Sequence, residues 1–180
     1  MGAFIDYFGG GGGKKAVVEY GMLFNEVDGN GNPLDVLMNL NCDIGSYQFG
    51  RTGAMSGDKM FLQTKVFKIV ANAIASNGFD YFLHKFSGKL KLDVASMDKR
   101  SFGGLGAGAT TAPKVWISKK CITIAGSSNY GTPWVDCNGG TKIYCEAASK
   151  PSGWNVSWNY SGSTAHSVSW GVTEKAFDAL

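Results

Sequence analysis

The sequence predicts a mainly β protein, a β-rich α+β domain whose body is an antiparallel sandwich or barrel. Charged residues make up only 17% of the chain, aromatic residues reach 13%, and 26 of the 180 residues are glycines. Such a composition suits short strands joined by tight turns. Short apolar runs also recur in the C-terminal half with Gly or Pro in nearly every gap, which is typical of a sandwich or barrel.

The first fifteen residues differ from the rest, so we divide the chain into an N-terminal arm, 1–15, and one domain, 16–180. The arm reads MGAFIDYFGGGGGKK, and its five-glycine run cannot hold a fixed backbone unaided. Its tip carries four large apolar side chains, and these are the predicted interface residues: Phe4, Ile5, Tyr7 and Phe8. The alternative is that the tip folds back onto its own domain.

Residues 16–40 have the pattern of a β-hairpin, with a dense turn signal over 28–33 and a return strand over 34–40. The turn has Asp or Asn at alternate positions, as a calcium loop does. An EF-hand loop would place Gly sixth and Glu twelfth, where this chain has Pro33 and Asn39. We therefore predict no metal site here.

Residues 59–77 are predicted to form the single amphipathic helix. Ser56 or Asp58 can cap its start, and Asn77-Gly78 supplies a left-handed stop. Its apolar residues recur at helical spacing: Leu62, Val66, Ile69, Val70, Ala73 and Ile74. This face would need a sheet to cover it.

Beyond the helix, strands are predicted over 79–95, 114–118, 120–125, 133–137, 141–147, 154–160 and 166–173, with a short helical turn over 174–180. The glycine-rich segment 101–113 is predicted to be a mobile loop. We find no internal sequence repeat.

No motif in the chain predicts catalysis, and we predict that the protein is not an enzyme and has no catalytic residue, metal or cofactor. The two histidines, His84 and His166, are next to no recognisable nucleophile motif. The 101–113 segment leads into a strand, so it does not fit a dinucleotide fingerprint, and no Lys-Ser or Lys-Thr pair ends it as a Walker loop requires. Asp136 and Glu146 are the best candidates for an acid pair, although ordinary surface charge explains both.

Charge and cysteine content restrict the environment and the partners. The net charge is +3 with scattered basic residues, which predicts no specific nucleic acid. No apolar run approaches the roughly 20 residues that span a bilayer, so no membrane span is expected, and no secretory signal is visible. The four cysteines could form two disulfides in three pairings, although we expect reduced thiols. No CxxC spacing occurs, which argues against a zinc ribbon or a thioredoxin-type site.

The C-terminal region predicts an aromatic hairpin. Trp154 and Trp158 alternate with Asn and Ser, and the return strand carries Trp170. Such a ladder fits a core, or else a flat face that stacks sugar rings.

A tethered apolar arm on a β-rich body without a catalytic motif favours a structural role. We expect a subunit of a large assembly, a capsid, tail or accessory component of a viral or phage particle, whose partners are copies of itself or other structural subunits. It would then be located in the virion, and otherwise in the cytoplasm or outside the cell. The alternative is a lectin-like β-sandwich that binds glycans through Trp154, Trp158 and Trp170.

Overall fold

The computed structural model describes residues 28–49, 64–126 and 131–180, together with the backbone of residues 3–6. These ranges hold mostly short strands and one short helix, α1 (Glu174–Asp178). The strands are β1 (Ala3–Asp6), β2 (Val36–Asn39), β3 (Val66–Ile74), β4 (Lys89–Met97), β5 (Lys114–Ile117), β6 (Thr123–Ile124), β7 (Lys142–Cys145), β8 (Tyr160–Ser161), β9 (Thr164–Ala165) and β10 (Ser167–Trp170).

The main sheet is parallel throughout, so the predicted antiparallel sandwich or barrel is wrong. Its strands follow the order β1-β2-β3-β4-β5-β7-β10, and β6 also pairs with β4. Successive strands that lie side by side and all run the same way require the chain to circle back after each one. The body is thus a parallel β-solenoid of about four turns. Alternation and turn residues mark strands and their ends but do not reveal strand direction, which is why the sequence suggested hairpins.

Each turn of the solenoid returns the chain to the same register position after 23 to 28 residues between β3 and β10. Side chains at matching positions therefore stack in columns along the solenoid axis. One inward column contains Val36, Phe67, Leu90, Val115, Ile143 and Val168. The next inward column contains Met38, Ile69, Leu92, Ile117, Cys145 and Trp170. Nearly all of these side chains are buried, so the columns form the core.

A second face of the solenoid begins where the chain bends away from the main sheet. The C-terminal halves of β3 and β4 extend onto this face, where β4 pairs with β6. Isolated bridges continue the pairing at both ends, from Ile44 to Ile74 and from Ile124 to Trp154. A third inward column results, and all of its members are buried: Ile44, Ile74, Met97, Ile124 and Trp154.

The third face consists of tight backbone turns, one stacked on the next from each coil of the solenoid, and we call it the turn face. Backbone N–H groups of one turn donate to carbonyls of the next, as Phe79 does to Ser101 at 2.8 Å and Phe102 to Pro133 at 3.0 Å. Phe49, Phe79, Phe102 and Trp134 stack as near-parallel rings, with centroids 5.0, 5.3 and 5.6 Å apart in chain order. These separations are close to the strand spacing of about 4.7–4.9 Å, so equivalent aromatic residues meet face to face.

The glycine-rich segment 101–113 is packed over its first half, where residues 101–106 are buried. Gly104 has a φ of +71°, and a Cβ there would lie 2.8 Å from the Tyr81 ring. Gly106 has a φ of +65°, and its Cβ would meet the Pro113 ring at 2.5 Å. Glycine is required at these positions by the backbone bend and by close packing between turns.

The predicted helix over 59–77 is wrong for the part that the structure describes, because Val66–Ile74 form β3. Residues 59–63 lie outside the described ranges. Phe67, Ile69 and Ala71 are buried, whereas Lys68 and Asn72 alternate with them on the other side. The sequence VFKIVANAI satisfies a spacing of two as well as helical spacing, and its β-branched residues favour a strand. Pairing with β2 and β4 then stabilises the extended form.

The predicted hairpin over 16–40 is wrong at its return strand, because that strand pairs in parallel with its neighbours. β2 lies within the predicted strand, but it pairs in parallel with β1 and β3. The predicted turn does form, since Asp28 Oδ1 accepts hydrogen bonds from the N–H groups of Asn30 and Asn32 at 2.8 and 2.9 Å. Residues 16–27 lie outside the described ranges.

Candidate functional site

The first candidate site is the N-terminal edge of the main sheet, where part of the predicted arm lies. β1 pairs in parallel with β2, so that Phe4 is in register with Leu37 and Ile5 with Met38. In a single chain, these two interface residues therefore belong to a strand at the end of the solenoid. Tyr7, Phe8 and the glycine run lie outside the described residues.

The opposite edge of the same sheet is β10. Its register with β7 runs from Ser167 opposite Lys142 to Trp170 opposite Cys145. Ser167 and Ser169 are exposed, whereas Val168 and Trp170 are half-buried and pack against the core. In the described part of the chain no strand pairs with the other side of β10. The two ends of the solenoid thus present two strand edges that run in the same direction.

The three tryptophans of the alternative prediction do meet. The ring centroids of Trp154 and Trp158 are 4.5 Å apart, and both lie within 6 Å of Trp170, at 5.8 and 5.9 Å. Trp154 and Trp158 are each 3% exposed, and the Trp154 indole N–H donates to the Cys121 carbonyl at 3.0 Å. The cluster closes the C-terminal end of the core and leaves little indole surface for a sugar ring.

The long aromatic hairpin expected there is not formed. Residues 156–159 make turns, and Val156 is 82% exposed although alternation placed it with the tryptophans. The antiparallel pair in this region is short, joining β8 to β9. The Asn155 side chain accepts a hydrogen bond from the Ser157 N–H at 2.9 Å, which supports the turn. The polar residues between the tryptophans therefore bend the chain.

The two histidines lie in different turns of the solenoid. His166 is 3% exposed, and neither ring nitrogen has a hydrogen-bond partner. Burial lowers the pKa of His166. His84 lies on the turn face with its ring 5.8 Å from that of Tyr81. No group of three metal-ligating side chains forms among the described residues.

The carboxylates considered as an acid pair have separate partners. Glu146 accepts a hydrogen bond from the Lys119 N–H at 3.0 Å. Asp136 lies 3.5 Å from Arg100 and accepts a hydrogen bond from the Tyr81 hydroxyl at 3.1 Å. Arg100 also pairs with Asp80 at 3.1 Å. These groups link neighbouring turns of the turn face, where burial and Asp136 together raise the pKa of Tyr81.

A further cluster, which sequence reasoning missed, lies on the outer side of the main sheet. Lys89, Lys114 and Lys142 are in register on adjacent strands, and Lys68 is in register with Lys91. The C-terminal segment 171–180 folds across them, and we call it the strap. Glu174 bonds Lys68 at 2.8 Å and Lys91 at 3.1 Å, and Asp178 also pairs with Lys91.

The strap is also fastened by its apolar and backbone groups. Phe177 is fully buried, with its ring 5.3 Å from that of Tyr144. The Trp116 indole N–H donates to the Val172 carbonyl at 2.8 Å. Partial burial opposes ionisation of Glu174, but hydrogen bonds from Lys68 and Lys91 outweigh it and lower the pKa of that carboxyl. The strap therefore offsets the repulsion between stacked lysines.

One sequence signal could have revealed these columns. The tetrapeptides KLKL, KVWI and KIYC begin at Lys89, Lys114 and Lys142. All three share one pattern: a lysine comes first, an inward aliphatic residue second, an outward side chain third and another inward residue fourth. The spacing between them varies and their outer residues differ, which conceals the structural repeat.

The fold and its two edges define the class of this protein as a parallel β-solenoid with an N-terminal edge strand and a C-terminal strap. No family model, curated protein or solved structure matches the chain. In the described ranges no helix has the length and apolar character needed to span a bilayer.

Proposed function

We propose that this chain is a non-enzymatic structural subunit of a large assembly, a capsid, tail or accessory component of a viral or phage particle. Its partners are copies of itself or other structural subunits, and its location is the virion. The observation that carries the proposal is the apolar N-terminal segment at the edge of a parallel sheet. A strand edge is a template for pairing with another chain.

The arm supplies the second argument. Burying one large apolar side chain is worth roughly 1.5–3 kcal/mol, and the tip has four of them. The five-glycine run spans up to about 3.3–3.6 Å per residue when extended. A tip on this tether can contact a neighbouring subunit and hold it through Phe4, Ile5, Tyr7 and Phe8.

The glycan-binding alternative has less support. The tryptophans that would carry it converge, but Trp154 and Trp158 are buried in the core, and the Trp154 indole N–H donates to the Cys121 carbonyl. A sugar ring stacks on an exposed aromatic face. The cluster is better explained as the closure of the last turn of the solenoid.

The first experiment measures the mass of the full chain by light scattering over a hundredfold range of concentration. We expect oligomers that grow with concentration, and mainly monomers when residues 1–8 are deleted. The control carries Ser149→Asp and Ser152→Asp, which alter exposed loop residues, and it should assemble normally. A full chain that stays monomeric throughout would contradict the proposal.

A second experiment tests the kind of assembly. In its native source, the chain should co-sediment with particles at constant stoichiometry and stay with them after nuclease treatment. Recovery of the chain solely from the particle-free fraction would overturn the virion assignment.

A further inference from the structure

The two ends of the main sheet are complementary in direction. Among the described residues, β1 and β10 are its terminal strands, and every pairing between them is parallel. If a second copy is placed on the same axis, β1 of that copy faces β10 of the first, and both strands run the same way. The junction would repeat the geometry that already joins each turn to the next.

The hydrogen-bond pattern shows which groups of β10 are open. The N–H groups of Lys142 and Glu146 donate to Pro113 and Ile117, on the β5 side of β7. Since these groups alternate along a parallel strand, Ile143 and Cys145 face β10 and bond the backbone of Ser167 and Ser169. The N–H and C=O groups of Val168 and Trp170 therefore point toward the open side.

β10 also lacks the charged residues and prolines with which many natural proteins protect a sheet edge. Its sequence is SVSW, with no charge and no proline. The edge is a continuous four-residue strand, and no strand pairs with its outer side in the ranges that the structure describes. Lysines, prolines, bulges or a covering loop normally block such an edge.

We propose that β10 is the docking site for β1 of a second copy. β1 then lies between β2 of its own chain and β10 of the neighbour, parallel to both. The interface is head-to-tail, so repetition produces a ring or an open filament. This inference rests on the proposed function and names the partner surface for the arm.

The test uses two variants of the full chain. Deletion of residues 1–8 removes the donor strand. The pair Ser167→Lys and Ser169→Lys places two charges on the exposed side of the acceptor strand, and the pair Ser149→Lys and Ser152→Lys is the control with equal charge. We expect the deletion and the β10 variant each to be monomeric, and the control to assemble like the unmodified chain.

Mixing the two monomeric variants is the decisive measurement. The deletion variant keeps an acceptor edge and the β10 variant keeps a donor strand, so the mixture should form a 1:1 dimer and nothing larger. A peptide of residues 1–8, but not its scrambled form, should also dissolve assemblies of the unmodified chain. This peptide result does not depend on how the β10 variant folds.

The outcomes separate this inference from the proposed function. Assembly that survives in the folded β10 variant but is lost on deletion of residues 1–8 overturns the β10 site and leaves the arm as the assembly element. Two monomeric variants that do not dimerise when mixed also overturn it. A monomeric unmodified chain overturns both proposals.

Discussion

Phe79 and Phe102 show that side chains at equivalent positions of neighbouring turns pack against each other. Their rings lie 5.3 Å apart with an interplanar angle of 3°, because a parallel register repeats the same side-chain position from one turn to the next. Offset aromatic pairs of this kind contribute roughly 0.5–1.5 kcal/mol beyond the area they bury. Identity is not required, since Trp134 continues the same stack. A column therefore demands a type of side chain more than a particular residue.

His166 predicts a pH dependence of stability. Its pKa is lowered in the folded protein because the ring is buried, so protonation favours the unfolded chain. The stability that neutral His166 provides is complete above the ordinary histidine value of about 6.5, and it is lost as the pH falls through the lowered folded value. The urea concentration at the unfolding midpoint should thus decrease as the pH is lowered from 7.5 to 5.

The matched comparison for this prediction is His166→Phe. The substitution removes the titrating group, while His84 is present in both proteins and contributes equally. We expect a smaller fall in the urea midpoint for His166→Phe than for the unmodified chain. Equal falls in the two proteins would show that His166 does not cause the pH dependence.

At the scale of elements, β3 predicts a contrast between neighbouring residues. Ile69 is fully buried in an inward column, whereas Val70 is half-buried on the outer side. Ile69→Asp should prevent folding, because an unpaired charge would be buried. Val70→Asp should be clearly milder. Thermal melts followed by circular dichroism test this, and equally severe effects would instead fit the helix, in which both residues share one face.

The strap predicts a second contrast between neighbours. Glu174→Lys would place a third cation against Lys68 and Lys91, which should release the segment from the sheet. Lys175→Glu changes an exposed residue and should leave the strap in place. Hydrogen exchange of residues 172–180, measured by mass spectrometry, should be much faster in the first variant alone.

Phe177 tests the apolar part of the strap. Its side chain is fully buried, and truncating a buried Phe typically costs about 3–5 kcal/mol. We expect Phe177→Ala to accelerate exchange of the strap as Glu174→Lys does. Unchanged exchange in both variants would mean that Trp116 and its bond to Val172 are sufficient to hold the segment.

At the scale of the whole molecule, stability comes from contacts between successive turns. Each turn packs against its neighbours alone, as in other solenoids, and within the described residues no further strand pairs with either end of the main sheet. At one end the tryptophan cluster closes the core, and at the other β1 extends the sheet. The strap ties β3, β4, β5 and β7 together across the outside.

Thiol reactivity reports on the closure of this core. Cys42 is exposed, whereas Cys121, Cys137 and Cys145 are buried and free. Burial raises the pKa of Cys121 to about 12 and also raises the pKa values of Cys137 and Cys145. Since the thiolate is the reactive form, a disulfide reagent should label one thiol rapidly in the native protein.

The denatured protein supplies the control for this prediction. Without reductant, denaturation should make all four thiols reactive. Finding two quantitative disulfides instead would indicate an oxidising environment and would contradict the arrangement of free cysteines. Rapid labelling of several thiols in the native state would show that the solenoid opens readily.

Several elements could be predicted from the sequence alone. The alternation in KLKLDV indicated β4, and the apolar runs at 114–118, 141–147 and 166–173 contain β5, β7 and β10. The turn at Asp28 and the helical turn near Glu174 were also predictable, because Asx turns and an N-cap depend on neighbouring residues. These features are local, and local spacing is what a sequence displays directly.

The tertiary structure alone decided the direction of the strands and the secondary structure of segments whose spacing fits both a helix and a strand. Val66–Ile74 fits two periodicities, and pairing with β2 and β4 selects the strand. Trp154 and Trp158 alternate as a strand would, yet Trp154 forms a parallel bridge with Ile124 and Trp158 lies in a tight turn. The sequence by itself determined a β-rich chain with an apolar N-terminal segment, because composition and spacing are properties of neighbouring residues. The solenoid depends on contacts between residues some 25 positions apart, and in this chain the varying turn lengths conceal that spacing.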